Sequence, residues 1–159
     1  MRRVIFARII GGDKESLSTR DKLKLKSMMK KIESRIGEKS SFLILFATEP
    51  LAQQNAEALS QMNFGNYQPL EALCMSEESE QKLEEIYLKV KELGKTSDAE
   101  NIIVLTHVLY CRDLPLFFFE KMYSKKTYMN FNLNQKAWML KEGQAWLMDC
   151  MYGKIYKVD

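Results

Sequence analysis

The sequence predicts a three-layer α/β/α fold around a mostly parallel sheet with antiparallel strands towards the C-terminus. Short segments are apolar at nearly every position, segments of helical period separate them, and Gly, Pro or polar clusters mark the junctions. Val4-Ile5-Phe6-Ala7 reads as a buried strand that ends at Arg8 and enters the loop Gly11-Gly12-Asp13. Ser18, with Asp21 three residues on, is an N-cap signal, and Leu25, Met28/Met29, Ile32 and Ile36 recur at helical spacing until Gly37. Phe42 to Ala47 is apolar throughout, as in a parallel strand covered on both faces, and Pro50 opens a helix with Ala52, Ala56 and Leu59 inward.

Tyr67-Gln68-Pro69-Leu70 is a brief extended segment. Leu83, Ile86, Tyr87, Val90 and Leu93 then form one face of a helix that Gly94 is expected to stop, and Asn101 to Thr106 is the third buried strand. From Thr127, Tyr128, Asn130 and Asn132 alternate with Met129, Phe131 and Leu133, and Asn134-Gln135 and Glu142-Gly143 are turn signals. That pattern predicts antiparallel strands completing the sheet. No linker or repeat divides the chain, so one domain is expected over residues 1–159.

The 159 residues carry 24 Lys+Arg and 21 Asp+Glu, a formal net charge of +3, with 46% hydrophobic residues. A chain of this length buries about two thirds of its unfolded surface, so it needs neither disulfide nor metal for a core. Cys74, Cys111 and Cys150 form no CxxC pair, and His107 is the single histidine, so no metal site and no cofactor are expected. Arg8 interrupts the first apolar run, and Phe42–Ala47 and Leu114–Phe119 fall far short of the ~20 residues of a membrane span. A soluble cytoplasmic protein with reduced thiols is the expectation.

Arg20 to Lys31 holds six basic residues and Glu71 to Glu92 seven acidic ones, each read as the solvated face of a helix. With an isoelectric point near 8.7, neither nucleic acid nor membrane is expected as a partner. Phe117-Phe118-Phe119 reads as core, and as a protein-partner or dimer surface if part of it is exposed. Gly11-Gly12-Asp13-Lys14 lacks the glycine and Lys-Ser/Thr of a P-loop, no cysteine is followed six residues later by arginine, and Cys111 reads as a structural thiol.

Ligands of open α/β sheets bind at the carboxyl ends of the strands, which directs attention to the loops after Ala7, Ala47 and Thr106. Those loops hold Arg8-Ile9-Ile10-Gly11, Thr48 to Glu57, and Thr106 to Arg112. In this order the chain resembles the histidine phosphatase superfamily, nearest the short bacterial phosphohistidine phosphatases of phosphoglycerate-mutase-like fold. Val4-Ile5-Phe6-Ala7-Arg8 matches the opening strand, Leu17-Ser18 the helix start, Pro50 with Gln54-Asn55-Ala56-Glu57 the second segment, and Val104-Leu105-Thr106-His107 the third. Arg112 stands where many members carry an arginine.

The departures bear on chemistry. The resemblance places a histidine nucleophile after the first arginine, and that position is Ile9, which has no lone pair to attack phosphorus. An arginine of the second segment is missing too: its place is Leu51 when aligned on Gln54-Asn55-Ala56, and Gln54 or a neighbour when aligned on Pro50. Phosphoryl transfer depends on cationic stabilisation of the equatorial oxygens, so both parts of the inherited mechanism are gone.

The expectation is therefore a degenerate, non-catalytic protein that binds a phosphate, another anion or a protein partner, with Arg8, His107 and Arg112 as ligand contacts. The alternative is a divergent phosphatase, hydrolysing a phosphoester or phosphohistidine, with His107 as base or nucleophile. Arg8 paired with a carboxylate and His107 as an ordinary hydrogen-bonded histidine is the bland reading of the same residues. No motif fixes Glu49, Glu57 or Glu71 as an acid.

Overall fold

The computed structural model describes residues 1–37, 40–62, 64–74, 79–108, 110–122 and 138–159. The elements run β1 (Arg3–Arg8), α1 (Thr19–Ile36), β2 (Phe42–Phe46), α2 (Pro50–Gln61), β3 (Asn66–Pro69), a 3-10 turn (Glu71–Leu73), α3 (Glu80–Thr96), β4 (Asn101–Thr106), α4 (Tyr110–Met122), β5 (Ala145–Asp149) and β6 (Lys154–Val158). The six strands form one sheet in the order β3-β2-β4-β1-β5-β6. The first four neighbours are parallel, and β5 and β6 add antiparallel. The expected Thr127–Leu133 alternation and the Asn134-Gln135 turn lie outside the described residues.

Burial explains the sequence pattern. β2 and β4 are buried at every position and β1 at all but Arg8, whereas the edge strands β3 and β6 carry exposed polar residues. Parallel crossovers are right-handed, so the leftward connections through α1 and α2 lie on one face and the rightward one through α3 on the other. Accordingly α1 packs on α2, while α4 packs on α3 and β1. Phe118 meets Phe6 and Tyr87 edge-on at 4.8 and 4.9 Å. Phe117, Phe118 and Phe119 are all buried, which removes the partner surface that their exposure would have provided.

Gly94 does not stop its helix: α3 continues to Thr96 and Ser97 caps it. A Cβ at Gly94 would lie 2.8 Å from the Met1 side chain, and the Met1 ammonium donates to the Gly94 carbonyl at 2.9 Å. This glycine serves a close approach rather than a termination. At the amino ends of the strands, Arg3 pairs with its cross-strand neighbours, 3.3 Å from Asp149 Oδ2 and 3.3 Å from Asn101 Oδ1. Asp149 also accepts the Met151 and Tyr152 N–H groups at 3.0 Å, so both buried charges are satisfied.

The expected cap of α1 is present as a capping box. The Asp21 carboxylate accepts from Ser18 N at 2.9 Å and Lys14 Nζ at 2.9 Å, and Asp21 N donates to Ser18 Oγ at 3.2 Å. The Ser18 hydroxyl, then Lys14, hold the Asp21 carboxyl well below the usual carboxylate range. A depressed native pKa means that the unfolded chain binds the proton first, so this stabilisation is complete above the unfolded pKa of about 4 and is lost as pH falls towards the native value. Thermal unfolding of Asp21→Asn across the acidic range is expected to show a shallower fall in Tm than wild type. Parallel curves would exclude the capping box as a source of the acid dependence.

Candidate functional site

Two neighbouring strands send their chains to opposite faces: β1 into α1 and β4 into α4. A crevice opens where such connections diverge, at the carboxyl ends of the strands. Arg8 ends β1 opposite Thr106, the last residue of β4, and His107 follows directly. Both residues line a cavity of about 610 Å³ at this point, together with Ile9, Gly12, Asp13, Lys14, Glu15, Glu49, Pro50, Leu51 and Val108.

The floor of the site is fixed by two consecutive carboxamides of α2. Asn55, fully buried, accepts the Ile10 N–H at 3.0 Å and donates to the carbonyls of Ile10 and Leu51, both at 2.9 Å. Gln54 does the same further along, accepting the Leu17 N–H at 2.9 Å and donating to the Glu15 carbonyl at 3.0 Å. The loop from Ile9 to Leu17 is thus held through its backbone. Gly11 has φ +121°, and a Cβ there would lie 2.9 Å from Leu51 Cδ1, so only glycine lets the loop settle on α2.

Arg8 Nη1 donates to the Leu140 carbonyl at 3.3 Å. Among the described residues no carboxylate pairs with it. His107 Nε2 lies 3.0 Å from Glu49 Oε2, at the N-cap of α2. The Cys111 thiol donates to the His107 carbonyl at 3.0 Å, and burial pushes its pKa up to about 11. A buried neutral thiol is a structural group beneath the histidine, as the sequence suggested, and not a nucleophile. Ile9 is 6% exposed, and its N–H continues the ladder to the Thr106 carbonyl.

Arg112 does not join Arg8 and His107. It pairs with Asp113 at 2.8 Å and lines a separate cleft between α3 and α4 with Ser79, Glu80 and Leu83. Arg112 is the third residue of α4, and the helix turns it towards the α3–α4 cleft rather than the strand ends. Of the three carboxylates considered, Glu49 alone lines the cavity. The loop charges Asp13, Lys14 and Glu15 and the distant Glu142, which accepts the Gly11 N–H at 3.2 Å, were not singled out as site residues. Among the described residues no group of three metal-ligating side chains occurs, and no helix is long and apolar enough to cross a membrane.

No protein-family model matches the chain, and no curated protein matches it in sequence. Solved structures match its fold. Phosphoglycerate mutase from Plasmodium falciparum aligns with a TM-score of 0.59 at 16% identity, covering 99% of this chain and 88% of the mutase. A protein histidine phosphatase SixA, complexed with tungstate, aligns with a TM-score of 0.58 at 12% identity, covering 99% of this chain and 96% of its own. The chain therefore has the phosphoglycerate-mutase-like fold of the histidine phosphatases, as the sequence resemblance implied.

The carboxamide clamp gives a sharp expectation. Asn55→Ala strands the buried N–H and carbonyl of Ile10 and should cost about 3 kcal/mol or more in chemical denaturation. Gln54→Ala, at a half-buried position that water reaches, should cost about 1 kcal/mol. Equal losses would contradict the assignment of Asn55 as the anchor.

Proposed function

We propose that this protein is a non-catalytic ligand-binding protein of histidine phosphatase fold, which holds an anionic group through Arg8 beside His107 and transfers no phosphoryl group. The observation that carries this reading is the side chain at position 9. A phosphohistidine route needs an imidazole lone pair aimed at phosphorus, and Ile9 offers buried hydrocarbon. Equatorial phosphoryl oxygens also need several cations, and no arginine occurs between Arg35 and Arg112. Arg8 retains a charge with no carboxylate partner among the described residues, at the strand end where a ligand of this fold would sit. The three free cysteines fit a reducing cytoplasmic setting.

One observation favours a second reading. His107 and Glu49 at 3.0 Å form an oriented imidazole–carboxylate pair facing the cavity, the arrangement a general base requires. Under it, the protein is a divergent phosphatase, hydrolysing a phosphoester or phosphohistidine through His107.

Thermal shift with tungstate and with phosphate separates these outcomes when paired with p-nitrophenyl phosphate hydrolysis. Saturable stabilisation, reaching about 2.7 kcal/mol at 100 times the dissociation constant, should disappear in Arg8→Ala, with hydrolysis at background. Turnover abolished by His107→Ala would instead establish the phosphatase. Absence of turnover and of any shift, with acetate tried beside the two oxyanions, would overturn the anion-site reading.

A further inference from the structure

The cavity at the ends of β1 and β4 has a charge balance and a wall that together specify a ligand class. Among the described residues, its lining holds the cations Arg8 and Lys14 and the imidazole of His107, against three carboxylates, Asp13, Glu15 and Glu49. Lys14 is already engaged by Asp21 at 2.9 Å, and His107 by Glu49 at 3.0 Å. Among the described residues, Arg8 is held only by a neutral carbonyl, which orients a guanidinium without cancelling its charge. The described lining is thus no better than neutral before a ligand enters, so a monoanion on Arg8 leaves one excess negative charge and a dianion leaves two.

The rest of the wall is hydrocarbon: Ile9, Pro50, Leu51 and Val108 line the same cavity, and Val108 is 50% exposed beside His107. Where the resemblance places a nucleophilic histidine and, on the Gln54-Asn55-Ala56 alignment, an arginine, Ile9 and Leu51 present apolar carbon. A volume of about 610 Å³ lies within the range of small-molecule sites, roughly 300–1,000 Å³, and far exceeds that of an inorganic anion.

We infer that the site takes a monoanionic carboxylate bearing an apolar chain, with the carboxylate on Arg8 and the chain along Ile9, Leu51 and Val108. This rests on the anion-site reading above and deepens it: singly charged, amphiphilic acids bind in preference to phosphate dianions. A guanidinium fork receives the two carboxylate oxygens in one plane, and each methylene buried on the wall strengthens binding up to about fourfold.

The test is calorimetric titration of the full-length protein with acetate, butyrate, hexanoate and octanoate, alongside phosphate and the uncharged hexanamide. Affinity should rise two- to fourfold per added methylene to at least hexanoate, which should exceed phosphate by tenfold or more, while hexanamide should bind at least tenfold more weakly than hexanoate. Arg8→Ala should remove carboxylate binding, and Val108→Ser, at an exposed position, should flatten the chain-length dependence while acetate is unaffected. If phosphate and acetate bind through Arg8 with no gain from longer chains, this inference fails and the anion-site reading stands. If hexanamide matches hexanoate, or the chain-length dependence persists in Arg8→Ala, apolar partition without a carboxylate site is established and the inference fails. If no anion binds, both fail.

Discussion

Where β1 leaves the sheet, the backbone N–H and C=O of Ile10 are buried, and the Asn55 carboxamide pairs with both. An unpaired buried amide costs more than a made hydrogen bond returns, so the path of the loop is decided by the one side chain able to answer it. Asparagine presents a donor and an acceptor side by side; an ionised aspartate lacks the donor and leucine lacks both. Through Asn55, the orientation of α2 sets the position of Ile9 to Gly11, and with it one wall of the cavity. Gln54 extends the same grip to Glu15 and Leu17, which delivers the chain to the capping box of α1.

The opposite side of the cavity is supplied from far along the chain. The Leu140 carbonyl meets Arg8, and Glu142 accepts from Gly11 and pairs with Lys24 at 3.4 Å, so the approach to β5 braces both the arginine and the glycine loop. A carboxylate in place of the Leu140 carbonyl would have neutralised Arg8 and closed the question of a ligand. A peptide dipole fixes the guanidinium at far lower cost to its charge. The contrast with Arg112, already bound by Asp113, separates an arginine held open from one that is spent.

Much of the frame was legible because burial on both faces leaves an unmistakable mark. Val4–Ala7, Phe42–Phe46 and Asn101–Thr106 are central strands, and each reads as a strand from its apolar run alone. Ser18 and Asp21 announced the capping box because that interaction is local. Gly94 was misleading, since a glycine required by the approach of Met1, remote in sequence, looks the same as one that ends a helix. The site was legible only in part. Arg8 and His107 fall at strand ends, which the sequence locates, whereas the partners Leu140 and Glu142 lie more than 130 residues from Arg8 and Gly11, and no periodicity encodes such a contact. Gln54-Asn55 stood out as a motif, but its work is done on another element's backbone and leaves no local signature.

On the Gln54-Asn55-Ala56 alignment, the two departures at the site are structurally joined. Leu51 packs where a Cβ on Gly11 would collide, and Ile9 sits in the core two residues earlier, 6% exposed. Apolar side chains at both places let the glycine loop close on the start of α2, and an arginine at position 51 would carry a charged head into that contact. A histidine at position 9 alone would enter a buried environment with no cation from α2 opposite it. On the proposed reading, the pair therefore acts as a unit: hydrocarbon packs the loop beside the cavity, and Arg8, with no carboxylate partner among the described residues, keeps its charge.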